Sequence, residues 1–533
     1  MIINIPTILI IFISLVPAYD NANLGSTEFL IDRNQHEIPT EKDSCCAKEF
    51  TKITKISELD DKDKPKENCT PHSLEEFPED LFTAEQRRQG AVALHTFFGL
   101  YCFLMTALVC NDYLLPSLDC ICTRMKISSD VAGATFLAAA SSFPELFVNI
   151  IGTFLTESDL GVGTVMGSAV FDTFATPACG ALSAFHVIQL EWRILTRDCI
   201  FNVISVGTLV VIMWDGVIEL YEAAILIALL IAYLIILFCG KYFIRWYKKL
   251  ARLFTSKTGS TAFSGDESPE NKEEPMTDGL YRPYFHGELV AEYRKKSLTS
   301  NAVHKTSTDC AVEAQNHVKM TEEYIEPNTP FIWPSGDRLA KIWFWFIWPL
   351  RLILFVTVPD SRYKRWKNWY PVTFVMCVTW IAITSYLVSW MMTVLGDTMG
   401  ISDSIMGLTF LAAGGNMPEL ISIVILARQG NGNMGMSNTL GANTLDILMC
   451  LGLPWLIKTS MTGKSVHIVS GALSYSVLSI IVCVIIFYTV VAMCRYQLNK
   501  TVGVICLILY AIFLVFAILV ELNVFFHANL PMC

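Results

Sequence analysis

Residues 133–146 read GATFLAAASSFPEL and residues 407–420 read GLTFLAAGGNMPEL. Nine of the 14 aligned positions are identical, 274 residues apart. The register persists downstream without a gap: Gly167-Ser168-Ala169-Val170-Phe171-Asp172 aligns with Gly441-Ala442-Asn443-Thr444-Leu445-Asp446. One structural unit therefore occurs twice in this chain, and both copies lie inside apolar blocks. The chain is 53% hydrophobic and only 17% charged, with a mean hydropathy of +0.46. A water-covered globule needs more polar surface than that. Segments 91–110, 372–396 and 502–520 each run about a bilayer's width without Asp, Glu, Lys or Arg. In lipid such segments must be helices, because only a helix satisfies its own backbone.

The fold class read from this is an all-α polytopic membrane protein with ten transmembrane helices in two five-helix repeats. The first repeat domain is 91–239, with spans near 91–111, 130–155, 160–185, 199–214 and 218–239. The second is 372–528, with spans near 372–396, 402–427, 434–457, 465–493 and 502–522. Five is odd, so the copies are expected upside down relative to each other, as in transporters that bind substrate between inverted repeats. Residues 1–18 read as a signal peptide, with an uncleaved anchor as the alternative. Segment 19–90 reads as an acidic extracellular or lumenal region holding Cys45, Cys46, Cys69 and the glycosylation sequon at Asn68. Between the repeats, 240–371 is polar and linker-like, a cytosolic loop. Its apolar stretch 342–358 reads as an interfacial helix, or alternatively as an eleventh span. Lys and Arg cluster in the loops this layout places inside, and only Lys458 and Lys464 break the rule.

Glu145, Asp172, Glu419 and Asp446 each fall within an apolar span. An intramembrane carboxylate is costly and marks a functional site by default. Hard oxygens with net negative charge suit calcium, sodium or potassium better than soft metals. Pro144 and Pro418 each remove a helical N–H one residue before a glutamate, which frees a backbone carbonyl about one turn earlier. Ser141, Ser142, Ser168, Asn416 and Asn443 add side-chain oxygens nearby. An intramembrane aspartyl protease would carry Tyr-Asp and Gly-x-Gly-Asp pairs; here the helix acids follow Pro, Phe and Leu.

The paired segments resemble the alpha repeats of the sodium/calcium exchanger superfamily. With Asn68-Cys69-Thr70, Glu75-Glu76-Phe77-Pro78, Arg87-Arg88-Gln89-Gly90-Ala91 and Gly452-Leu453-Pro454-Trp455, the chain resembles its potassium-dependent branch. The resemblance implies a cation antiporter, not an enzyme, moving calcium with potassium against sodium. It implies calcium and sodium at Glu145 and Glu419, a link to potassium at Asp446, and oxygen ligands at Ser141, Ser142 and Ser168. It implies no cofactor beyond the transported ions and no nucleic-acid partner, with membrane lipid around the chain and no oligomeric state specified. The expected location is the plasma membrane, with a late Golgi membrane as the alternative. Four departures from the family pattern stand out: Gly415-Asn416 where Thr-Ser is usual, Glu419 for Asp, Ala442 for Ser, and Asp172 for Asn. Two other readings stay open on this sequence. One is a calcium/proton exchanger of the same fold with Asp172 as proton carrier; the other is a transport-inactive member with a regulatory role.

Overall fold

The computed structural model describes residues 73–125, 127, 129–255, 283–286, 289, 331, 338–430, 432–468, 472–522 and 524. The signal peptide, Asn68, Cys45, Cys46, Cys69 and most of the linker lie outside these residues.

The described chain is almost entirely helical. Helix α1 spans Ala84–Met125, α2 spans 129–141, α3 Phe143–Phe154 and α4 160–183. Then follow α5 (Trp192–Ile212), α6 (Leu220–Thr255) and α7 (Arg338–Thr357). The second half contains α8 (Tyr370–Met399), α9 (403–415), α10 (Met417–Arg428) and α11 (Gly432–Thr462). It closes with α12 (Ala472–Met493) and α13 (Lys500–Glu521). Among the described residues, eight helices are long and apolar enough to cross a membrane, and nine if the bent pair Gly133–Ser141 and Phe143–Phe154 is one span. Ten spans were expected. The remaining one, α4, is helical throughout, but Gly, Ser, Thr and Asp172 lower its hydropathy.

The duplication is visible atom by atom. Residues 133–137 and 407–411 both widen into a π-turn. Both helices then break, at Ser142 and Asn416, one residue before a Phe-Pro or Met-Pro start; the first break bends by 50°. Contacts exchange between the copies in the same register. Gly133 packs on Met434, and its counterpart Gly407 packs on Leu160; Gly167 packs on Leu408, and Gly441 on Ala134. A Cβ at Gly167 or Gly407 would come within 2.5 Å of a backbone oxygen, so these crossings need glycine. The repeat helices form the centre: 78% of the apolar window is buried in 403–428 and in 432–462, against 22–39% in the other long helices.

Two short strand pairs clasp the bundle. β1 (Ile188–Gln189) pairs antiparallel with β4 (Gln497–Leu498), and β2 (Val217–Ile218) with β3 (Val466–His467).

The first helix runs further than the expected end near 111. Two acids in its last turns are matched by partners. Asp112 lies 3.9 Å from the Arg362 guanidinium, and the buried Asp119 accepts the amides of Tyr284, Phe285 and His286. The stretch expected as an interfacial helix is α7, packed lengthwise on α1. Phe346 meets Phe97 and Tyr101, while Leu350, Leu354 and Val358 bury among Met105, Val109, Cys110 and Leu114. Phe331, seven residues before α7 begins, stacks edge-on against Phe355 near its far end.

Candidate cation-binding site

The helix breaks at Ser142 and Asn416 place Glu145 and Glu419 in the first turns of α3 and α10. The N-terminal end of a helix is positive, which favours a carboxylate there. Both glutamates are 1% exposed. Neither oxygen of Glu145 has a hydrogen-bond partner, nor has Oε2 of Glu419.

Asp172 and Asp446 sit at the middle of α4 and α11, fully buried. Thr176 Oγ1 donates to Asp172 Oδ1 at 2.8 Å. Cys450, the counterpart of Thr176, places its Sγ 3.7 Å from Asp446 Oδ1. Each aspartate thus meets the residue one turn later, in both repeats. Oδ2 of Asp172 has no partner. Ser168 Oγ lies 3.0 Å from Asn416 Oδ1 and 3.2 Å from Asp446 Oδ2, so one hydroxyl proton serves two acceptors from the opposite repeat.

Eight of the expected residues adjoin one another where the two repeats cross, and Asn443 lies one turn before Asp446 on α11, hydrogen-bonded to Ala169 and Thr173. Glu145 is within electrostatic reach of Asp446 and Glu419, and Glu419 of Asp172 and Ser141. Ser141 donates its own proton to Ala138 O at 3.0 Å, which leaves its lone pairs free. Asn416 turns its amide nitrogen to Ala412 O at 2.8 Å and its oxygen toward Ser168. Asn443 donates to Ala169 O at 3.2 Å, and its own oxygen has no partner; Ser142 Oγ has none either. Among the described residues no three Asp, Glu, His or Cys side chains close on one point as a formed metal centre would. A cation here would have to share carboxylates with neutral serine and asparagine oxygens.

Sequence reasoning missed Thr176 and Cys450, and also Asn149, whose amide holds the Cys450 carbonyl. The spacing of four from each aspartate, combined with the 274-residue register, would have found the first two.

Among the described residues, eight or nine helices long and apolar enough to cross a membrane, around a buried polar crossing, define a multi-pass membrane protein. The sodium/calcium exchanger protein family profile matches residues 95–239 and 369–519. Sodium/potassium/calcium exchanger 3 of Homo sapiens is 34% identical, over 87% of this chain and 86% of that protein. Sodium/potassium/calcium exchanger 4 of Homo sapiens is 35% identical, over 87% of both. A solved sodium-calcium exchanger, NCX_Mj, superposes with a TM-score of 0.42 at 15% identity, covering 80% of this chain and 98% of that one. The chain belongs to the sodium/calcium exchanger protein family: it is a membrane cation exchanger and not an enzyme.

Proposed function

We propose that this protein exchanges calcium, together with potassium, against sodium across the plasma membrane, by alternating access at the crossing of its two repeats. The observation that carries this reading is the convergence of four buried carboxylates, Glu145, Glu419, Asp172 and Asp446, where both oxygens of Glu145, Oε2 of Glu419 and Oδ2 of Asp172 have no hydrogen-bond partner. Uncompensated buried carboxylates are strongly unfavourable. A cargo of cations supplies the missing partner. Glu145 and Glu419 would hold calcium or sodium, with Ser141, Ser142, Ser168, Asn416 and Asn443 completing the oxygen shell. Asp446 would tie in potassium.

The reading includes ten crossings as two inverted five-helix repeats, with the N-terminal region and the C-terminus outside and 240–371 inside. The strand pairs support it. β2 and β3 must lie on one face of the membrane, so the chain between them crosses an even number of times. Helices α6, α8, α9–α10 and α11 make four crossings. A full crossing by α7 would make five. Phe331 beside Phe355 fits a segment that enters and leaves from the same side. Lys458, one of the two outside basic residues, is matched there: its Nζ donates to Glu157 at 2.7 Å.

The test is radioactive calcium uptake into sodium-loaded cells, with external potassium and pH varied separately. Uptake that follows the outward sodium gradient and rises with external potassium is expected. Uptake driven by a proton gradient without sodium overturns the assignment in favour of a calcium/proton exchanger.

A further inference from the structure

Two small cavities flank the carboxylates, and the repeat register maps one onto the other. Pro144, Val148 and Thr164 line the first; their counterparts Pro418, Ser422 and Asn438 line the second. Gly415 of the first corresponds to Ser141 of the second. The first cavity touches α8 at Ser385, three turns before Asp397, which binds Arg87 from the N-terminal side at 3.1 Å. The second touches α1 at Cys110, Leu114 and Leu115, about one turn before Asp119, which holds the linker. The first also touches α1 at Phe103 and Thr106, so the two cavities are displaced toward opposite ends of that helix.

Their chemistry differs. The apolar Val148 becomes Ser422. Thr164, whose hydroxyl is satisfied by Leu160 O at 2.7 Å, becomes Asn438. Ser422 is 2% exposed and Asn438 1%, yet Ser422 Oγ and Asn438 Oδ1 have no partner. Several buried hydroxyls, Thr106, Thr439 and Thr444 among them, turn back to the carbonyl one turn earlier, whereas Ser142, Ser389 and Thr393, like Ser422, lack a partner. A polar atom buried without a partner is costly unless something polar meets it. Ser141 presents free lone pairs to the same cavity, and Glu419 lies three residues before Ser422 on the same face of α10.

We propose that Ser422 and Asn438, with Ser141, form an additional position for a monovalent cation on the linker side of the carboxylates. Its donors are neutral oxygens with one carboxylate, Glu419, at the edge. That suits a singly charged ion; a divalent ion calls for more negative charge. The proposal rests on the exchanger reading and deepens it: the position is the first stop for a cation arriving from the linker side.

The deciding variant is Ser422→Ala, which removes one oxygen and nothing else. Asn438→Thr installs the residue of the other repeat, and Ser422→Thr restores the hydroxyl. Calcium uptake is measured at graded internal sodium, and sodium-driven calcium efflux at graded internal potassium, with surface labelling as a control. In Ser422→Ala and Asn438→Thr the internal cation concentration for half-maximal rate should rise about fivefold, as expected for one lost ligand. Half-saturation by external calcium should stay as it was, and Ser422→Thr should recover the original dependence. A shift confined to sodium or to potassium names the ion. Unchanged dependence on both ions in Ser422→Ala at normal surface level overturns the proposal. If Ser422→Ala does not reach the surface, Asn438→Thr decides by the same criterion. Lack of sodium-driven uptake in the unmodified chain would instead refute the exchanger reading.

Discussion

A Cβ on Gly415 would lie 2.5 Å from Oε1 of Glu145: the carboxyl group of the first repeat occupies the place of the side chain missing from the second. The family pattern has threonine at this position, so the loss of a hydroxyl here coincides with a carboxylate reaching into its space. The neighbour Gly414 faces something less yielding, since a Cβ there would collide with the Phe103 ring.

The two glycines should therefore fail differently on substitution. Gly415→Ala displaces only the end of a flexible side chain, so surface expression should hold while apparent calcium affinity falls, by about fivefold for one weakened ligand. Gly414→Ala overpacks the interface with α1 and should cost about 1–3 kcal/mol. Surface biotinylation and calcium uptake, measured side by side, separate the two. Equal loss of expression in both variants would contradict the distinction.

Glu145→Gln and Glu419→Gln each remove a charge and a ligand at nearly constant volume. Sodium-driven calcium uptake should drop at least about a hundredfold, with the protein still at the surface. Near-normal flux in either variant would remove that glutamate from the site.

Asp446→Asn keeps the hydrogen-bonding shape but loses one formal charge. Potassium is singly charged and weakly held, so potassium activation of calcium uptake should weaken or vanish while some calcium transport remains. A potassium titration of the variant checks this. An unshifted curve would place the potassium ligand elsewhere.

Sidedness is tested with epitope tags. A tag near Ser264 should be reached by antibody only after permeabilisation, and one at the C-terminus on intact cells. Surface labelling of the Ser264 tag without permeabilisation would contradict the proposed layout.

Much of the centre was legible in the sequence, because the same physics is written twice. The register that aligned Glu145 with Glu419 also places Gly133 on Met434 and Gly407 on Leu160. Pro144 and Pro418 announced the helix breaks. Less legible were features that depend on a partner far away in sequence. The first span was expected to end near 111, whereas the helix continues through Asp112, whose facing Arg362 lies about 250 residues on. Helix α7 reads as interfacial from its Arg351 and Pro349; its apolar face finds α1, which hydropathy alone could not name. Helix α4 falls short on apolarity because its glycines and hydroxyls serve helix crossings and the carboxylates.

Asp119 has a consequence for the linker as a polymer. By taking the amides of Tyr284, Phe285 and His286, it staples the connection between α6 and α7 at one interior point. The 82 residues between Thr255 and Arg338 are divided there into arcs of 28 before the staple and 51 after it, the latter held once more where Phe331 meets Phe355. Loop-closure entropy grows only logarithmically with length, so lengthening either arc is nearly free while the staple holds. Asp119→Asn weakens the staple and merges the arcs. Insertions before residue 284 and after residue 286, independent in the native chain, would then act on one and the same tether.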